Sequence, residues 1–356
     1  MEICIPLVVD VLDKINGSRK SSGIYYILSG KKTSQSLSDS QWFGIQPYYA
    51  ALKGITTEEF NVLLLRINSM DLIEEQEENV FVVTENGQSL LLDEKKRMGF
   101  MEKLDGLKYA SIEQSCWRII TLYTQALSNA LYGHNDYSPI VRDRNTVDKV
   151  KSLFPRSEQK RKEIAQQLFF EISFILKETD TRSASIFVRK LSGYDRIGNT
   201  FEQLAKEWSL DKTEVTLRFR SILHHCLRLS RDHSKQFPVL HSLIGSYTEV
   251  PALTKSASLT YELLTKDKTI QEIMRIRKLK SSTLEDHLVE IARAIPEFSI
   301  YPYIKKEDTD QVVCFYNKTK ENKLRPIKEA FPHLSYLQIR LVLAKEGGKI
   351  ATGSSA

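Results

Sequence analysis

Several things this chain lacks narrow its chemistry. Cysteine is scarce: Cys4, Cys116, Cys226 and Cys314 are widely spaced, roughly a hundred residues apart. That spacing suits neither a disulfide framework nor a zinc knuckle, and is ordinary for a reduced cytoplasm. No apolar run approaches the roughly 18 residues that signal a membrane span. The start, acidic at Glu2 and interrupted by Pro6, does not resemble a signal peptide. A soluble, cytoplasmic protein is expected. No internal sequence repeat is visible.

Catalytic signatures are missing too. Ser29-Gly30-Lys31-Lys32-Thr33 falls short of a phosphate loop, because Tyr25 stands where the first glycine belongs and Lys32 where Ser or Thr should close the motif. Gly17-Ser18-Arg19-Lys20-Ser21 lacks the same framework, so the chain carries no ATPase core. His224, His225, His233 and His241 cluster in sequence, but no H-E-x-x-H or paired-cysteine motif accompanies them, and packing or surface roles are expected. The reading is a protein with no catalytic residues, no metal and no cofactor.

Of the 356 residues 41% are hydrophobic, enough for two or three modest cores. The net charge of +6 conceals an asymmetry: residues 1–93 hold 7 Lys/Arg against 13 Asp/Glu, and the remainder holds 44 against 32. An acidic front at −6 and a basic body at +12 imply different partners for the two ends.

A mainly α fold in three segments is expected, with a winged helix-turn-helix domain first, a helical middle, and a helix-turn-helix domain last. In 1–93, Thr56 caps a helix that turns Phe60, Leu63, Leu64 and Ile67 inward. Short β-prone runs at 72–73 and 80–83 flank a polar loop, and 84–87 closes the second strand. Glu74, Glu75, Glu77 and Glu78 make this wing acidic, which suits a protein partner better than phosphates. Trp42, Phe43, Tyr48 and Tyr49 form either small-domain core or a docking patch.

In 94–250, the runs 116–131 and 164–176 are apolar around much of their circumference and belong inside a bundle. Residues 200–208 and 215–229 are arranged like a second helix-turn-helix, with Arg218, Arg220 and Arg228 on its second helix; an ordinary two-helix corner fits equally well.

The third segment, 251–345, is the most informative, and 346–356 is expected to be a disordered tail. Helical spacing marks 256–264. Thr269 caps a short helix over 270–276, and a break at Lys278-Leu279-Lys280 leads to a third helix with Ser281-Ser282-Thr283 as cap candidates. Leu284, Leu288 and Ile291 form its buried stripe, and His287 between them is expected to be a hydrogen-bonded structural residue. Pro296 and Pro302 break the chain, 312–316 is a short strand or a helical turn, and 318–325 is a basic linker. Arg275, Arg277, Lys278 and Lys280 crowd the turn before the third helix. There, with the free N–H groups at Ser281 and Ser282, they suit phosphate contacts.

The run T-x-x-L-x-x-x-D-K-T-I-x-E-I-x-x-x-R-x-L-K-x-S-T-L-E-D-H-L, on Thr260 to Leu288, resembles the helix-turn-helix domain at the C-terminus of some RecQ-type helicases. So do L-R-P-I-K-E-A from Leu324 and S-Y-x-Q-I-R-L-V-L-A from Ser335. G-K-K-T-S-Q-S-L-S-D from Gly30 is similar to the same family's winged region. In length and order the chain resembles bacterial proteins encoded beside a stand-alone RecQ-like helicase that lacks these domains. The resemblance implies a DNA-binding accessory protein that supplies the missing domains in trans, for repair or recombination. Glu285, Asp286 and Glu290 on the third helix depart from a base-reading surface, since cytosine alone offers a simple donor to a carboxylate. A protein-docking scaffold without nucleic acid and a helix-turn-helix transcription factor are the competing readings.

Overall fold

A computed structural model describes residues 2–248, 253–319 and 324–351, the side chains of 347–351 excepted. In chain order the elements begin with α1 (Cys4–Ile15), α2 (Ser21–Ser29), α3 (Ser34–Trp42), α4 (Thr57–Ser69), β1 (Ile73–Glu77), β2 (Val80–Val83) and α5 (Glu85–Met98). Then follow α6 (Gly106–Tyr109), α7 (Glu113–Leu131), α8 (Arg144–Leu153), α9 (Glu158–Lys177), α10 (Thr181–Lys190), α11 (Phe201–Trp208) and α12 (Lys212–Asp232). Next come the short turns α13 (Pro238–Leu240) and α14 (Ser246–Thr248). The last stretch holds α15 (Lys255–Leu264), α16 (Ile270–Arg277), α17 (Ser281–Ala294), α18 (Lys306–Thr319), α19 (Leu324–Ala330) and α20 (Tyr336–Ala351). The mainly helical class follows the expectation.

Two compact units divide the chain: Met1–Val8 with Gln88–Val250, and Val9–Gly87 with Pro251–Ala356. The first is a bundle around α7 and α12. Ile119, Ile120, Leu223 and Leu227 fill its centre, and Trp117 meets Phe219 edge-on at 4.7 Å. Fourteen of the 21 residues of α12 are buried. Asp211 starts this helix, its carboxylate accepting from Glu214 N at 2.8 Å.

The second unit gathers most of the two segments read as separate domains, 1–93 and 251–345. The α3 helix packs on α17 and α20, and α20 also meets α18 and α19. Leu288, Val289, Val312, Ile327, Ile339 and Val342 form its core, with Trp42 against it. Sequence pattern hides this union because α3 (SQSLSDSQW) is polar and only weakly amphipathic.

At the head of this unit the local logic is legible. Thr56 and Glu59 close a capping box on α4, satisfying two otherwise orphaned N–H groups, and Phe60, Leu63, Leu64 and Ile67 are buried as expected. The hairpin departs from expectation. Glu74, Glu75 and Glu77 lie in β1 itself rather than in a loop, opposite Val82, Phe81 and Val80, with a register irregularity between Glu75 and Glu77. Cross-strand pairing satisfies their backbone and leaves the side chains exposed. Residues 84–87 open α5 instead of closing a strand: Thr84 Oγ1 accepts from Gly87 N at 3.1 Å and donates to Asp71 O at 2.6 Å. A Cβ on Gly87 would stand 2.2 Å from Leu72 O, so close packing of the helix start on the hairpin requires glycine.

Further on, 312–316 is helical, within α18. The expected linker 318–325 partly belongs to α18 and α19; residues 320–323 lie outside the described residues. The α20 helix runs to Ala351, into the stretch expected to be a disordered tail, and 352–356 lie outside the described residues.

Candidate nucleic-acid interface

The turn between α16 and α17 is built by three local devices. Thr269 caps α16 with a full capping box: its Oγ1 accepts from Glu272 N at 3.3 Å, and the Glu272 carboxylate accepts from Thr269 N at 2.8 Å. Lys278 ends the helix in the left-handed region, at φ 51° and ψ 44°, and Leu279 N reaches back to Met274 O at 3.1 Å. The α17 helix then starts at Ser281 with Lys280 at its cap position and no side-chain cap bond. None of Ser281, Ser282 and Thr283 serves as the expected cap. Ser281 Oγ donates instead to Glu285 Oε1 at 3.1 Å. Among the described residues the N–H groups of Ser281 and Ser282 have no partner, so the helix start offers two donors and the positive end of its dipole.

The four cations at this turn separate into two kinds. Arg275, Lys278 and Lys280 are exposed and form no ion pair among the described residues. Arg277 is a half-buried strut. Its Nη1 donates to Ser256 O at 2.6 Å and to Thr260 Oγ1, and its Nη2 donates to Ser256 Oγ at 3.0 Å. The Thr260 hydroxyl also bonds His287 Nδ1 at 2.9 Å. Burial, aided by the Arg277 charge, holds the His287 pKa below the ordinary histidine value. The structural role expected for His287 holds. Arg277 is committed to joining α15 and α16, because the geometry that docks α16 consumes its donors.

The carboxylates of α17 are committed inward as well. Asp286 pairs with Arg340 Nη2 at 2.6 Å, and buried Glu290 accepts from Thr254 N and, at 3.1 Å, from Thr254 Oγ1. Seven of the fourteen residues of α17 are buried, and α3, α15 and α20 pack against it. The first turn is its most accessible part. A helix enclosed in this way cannot lie lengthwise in a major groove, but it can present its N-terminus to a phosphate.

The expected partner surface is exposed. Glu74 and Glu77 have no ion pair among the described residues, Glu75 accepts from Asn79 N at 2.7 Å, and Glu78 stands 3.8 Å from Lys20 Nζ. Other candidates are absorbed by the fold. Phe43, Tyr48 and Tyr49 are buried, so with Trp42 edge-on to Tyr316 at 6.5 Å they form core rather than a docking patch.

The second helix-turn-helix, 200–229, loses its nucleic-acid reading. Arg218 is buried on Glu214 at 2.8 Å, Arg220 on Glu113 at 2.9 Å, and Arg228 donates to His225 Nδ1 at 2.8 Å. Sequence reasoning missed the Arg220 pairing because Glu113 lies 107 residues away, whereas Glu214 and His225 lie within about one turn of Arg218 and Arg228. The neighbouring histidines are structural: His224 Nδ1 accepts from Asp105 N at 3.1 Å, so its Nε2 donates to Glu113 at 2.8 Å. Burial holds both His224 and His225 below the usual histidine pKa.

Comparison with known proteins agrees with this geometry. Residues 256–343 match the helix-turn-helix domain family, whose limits enclose α16, the cationic turn and α17. No solved structure matches the chain. Protein YpbB of Bacillus subtilis (strain 168) is 30% identical over 342 residues, an alignment covering 96% of each chain. Similarity that runs nearly end to end, through both the hairpin segment and the helix-turn-helix, places the chain in the YpbB family.

Proposed function

We propose that the chain is a non-catalytic DNA-binding accessory protein that acts with a RecQ-type helicase in DNA repair and recombination. One observation carries the DNA part: Arg275, Lys278 and Lys280 are exposed beside the free N–H groups of Ser281 and Ser282. Together they form a compact anion-binding surface for the phosphate backbone. The inward commitment of Asp286 and Glu290 supports phosphate contact over base reading, and so weighs against a sequence-specific transcription factor. The exposed glutamates of the hairpin, Glu74, Glu75, Glu77 and Glu78, are the surface for the helicase, since like charge keeps them from DNA.

The test is fluorescence anisotropy on forked DNA across a salt series. Replacing Arg275, Lys278 and Lys280 with alanine is expected to weaken binding and lower the slope of log K against log salt by about 0.9 for each phosphate no longer neutralised. Unchanged affinity and slope would remove the DNA assignment and favour a protein scaffold. The helicase assignment is read separately, by nuclease-treated pull-down. Glu74→Lys with Glu77→Lys is expected to abolish helicase recovery without weakening DNA binding; undiminished helicase recovery refutes the hairpin contact.

A further inference from the structure

A cavity of about 390 Å³ lies within the second unit, walled by α3, α17 and α20. Its charge is unbalanced. Arg19 is held by Asp39 through two bonds, at 2.8 and 2.7 Å, and Arg340 by Asp286 at 2.6 Å, but Arg293 has no ion pair among the described residues. Its Nη1 is buried without a hydrogen-bond partner, and so is Gln41 Oε1, which belongs to another residue lining the same cavity. Two orphaned polar atoms on one cavity wall need explaining, because buried polar groups in folded proteins are nearly always satisfied.

Just outside the lining, one carboxylate and one ammonium offset each other. Glu290, the carboxylate that acts on Arg293 electrostatically, directs its hydrogen bonds to Thr254. Lys32 also feels the Arg293 charge, and its own ammonium donates to Leu253 O at 2.9 Å. Burial pushes the Arg293 guanidinium down to about 10, which still leaves it charged at neutral pH. The rest of the wall is suited to an organic body: Trp42, Val289 and Leu343 are apolar, and Ser34 and Ser38 add hydroxyls. The volume falls within the range of small-molecule sites, about 300–1,000 Å³.

We propose that this cavity is a binding site for a small organic anion, its phosphate or carboxylate head on Arg293 and its flat or apolar body against Trp42, Val289 and Leu343. One negative charge balances the three arginines against Asp39 and Asp286. A guanidinium that keeps a donor free is suited to such a head group. Bound there, the anion ties α3 to α17 and α20, so occupancy stabilises the union of the two chain segments in this unit. The site is separate from the cationic turn, and its failure leaves the DNA assignment standing.

The test is a titration of the full-length protein with inorganic phosphate, a nucleoside monophosphate, the same nucleoside without phosphate, and benzoate, followed by calorimetry and thermal melting. Saturable binding and a raised melting temperature are expected for the nucleoside monophosphate or benzoate, and none for the bare nucleoside. Response to the monophosphate alone identifies a phosphate head; response to benzoate alone identifies a carboxylate. Arg293→Met is expected to weaken that probe at least tenfold. If that variant fails to fold, Ser38→Asp, which adds a carboxylate to the wall, is expected to weaken the same probe. No saturable binding by any anionic probe, or equal binding by wild type and the folded variant, overturns the proposal.

Discussion

Two arginines two positions apart show how far residue identity falls short of residue role. Arg275 and Arg277 sit on the same short helix in the same basic cluster, and nothing in their spacing distinguishes them. Their surroundings do: Arg277 reaches Ser256 and Thr260 on α15, and Arg275 is exposed. Removing Arg277 leaves Ser256 and Thr260 without a charged donor and frees α16 from its neighbour. Arg277→Met is expected to cost about 2 kcal/mol in urea denaturation, the scale of hydrogen bonds to a charged group. Arg275→Met is expected to leave stability unchanged and weaken DNA binding. Equal stability losses for the two variants would contradict the division between strut and contact. The same logic explains the acidic residues of α17, which look hostile to DNA in sequence but are bonded within the fold at Asp286 and Glu290.

Among the elements, the turn after α16 is the most instructive. Left-handed backbone at Lys278 suits glycine, and a lysine there costs roughly 1 kcal/mol in steric strain. Lys278→Gly is therefore expected to raise stability modestly and to remove one phosphate contact from the DNA complex, read as a higher urea midpoint and a shallower salt slope. A variant both less stable and equally tight on DNA would show that the side chain serves the fold. Elements defined by local rules are legible in the sequence: the caps at Thr56 and Thr269 and the inward face of α4 all follow from neighbours along the chain. The hairpin is legible in position but not in extent, because cross-strand pairing draws glutamates of poor β propensity into β1. The α3 helix has its own capping box at Thr33 and Ser36, but no periodicity marks the face that packs, so its docking is tertiary.

For the molecule as a whole, buried histidines set the response to acid. His224, His225 and His287 are all held below their ordinary pKa by burial. As pH falls through the unfolded value, about 6.5, the unfolded chain takes up protons that the native chain refuses, so stability is full above that pH and falls beneath it. Asp105 opposes this in part: burial raises its carboxyl to about 6, so the native state gains a proton there that the unfolded state does not yet hold. Three groups against one predict a urea midpoint lower at pH 5.5 than at pH 7.5, with the loss starting near 6.5. A flat or rising profile over that interval would contradict the burial of these rings.

Sequence by itself determined the helical class, the helix-turn-helix with its cap at Thr269, the acidic front and basic body, and the residues crowding one turn. These depend on periodicity, capping and net charge, which are properties of neighbours along the chain. Tertiary structure alone decided which of those cations remain exposed, that Arg218 and Arg220 are internal, that α3 joins α17 and α20, and that Arg293 lines a cavity with no ion pair among the described residues. Each of these depends on groups brought together from distant parts of the chain, where burial and pairing are settled by packing that local pattern does not encode.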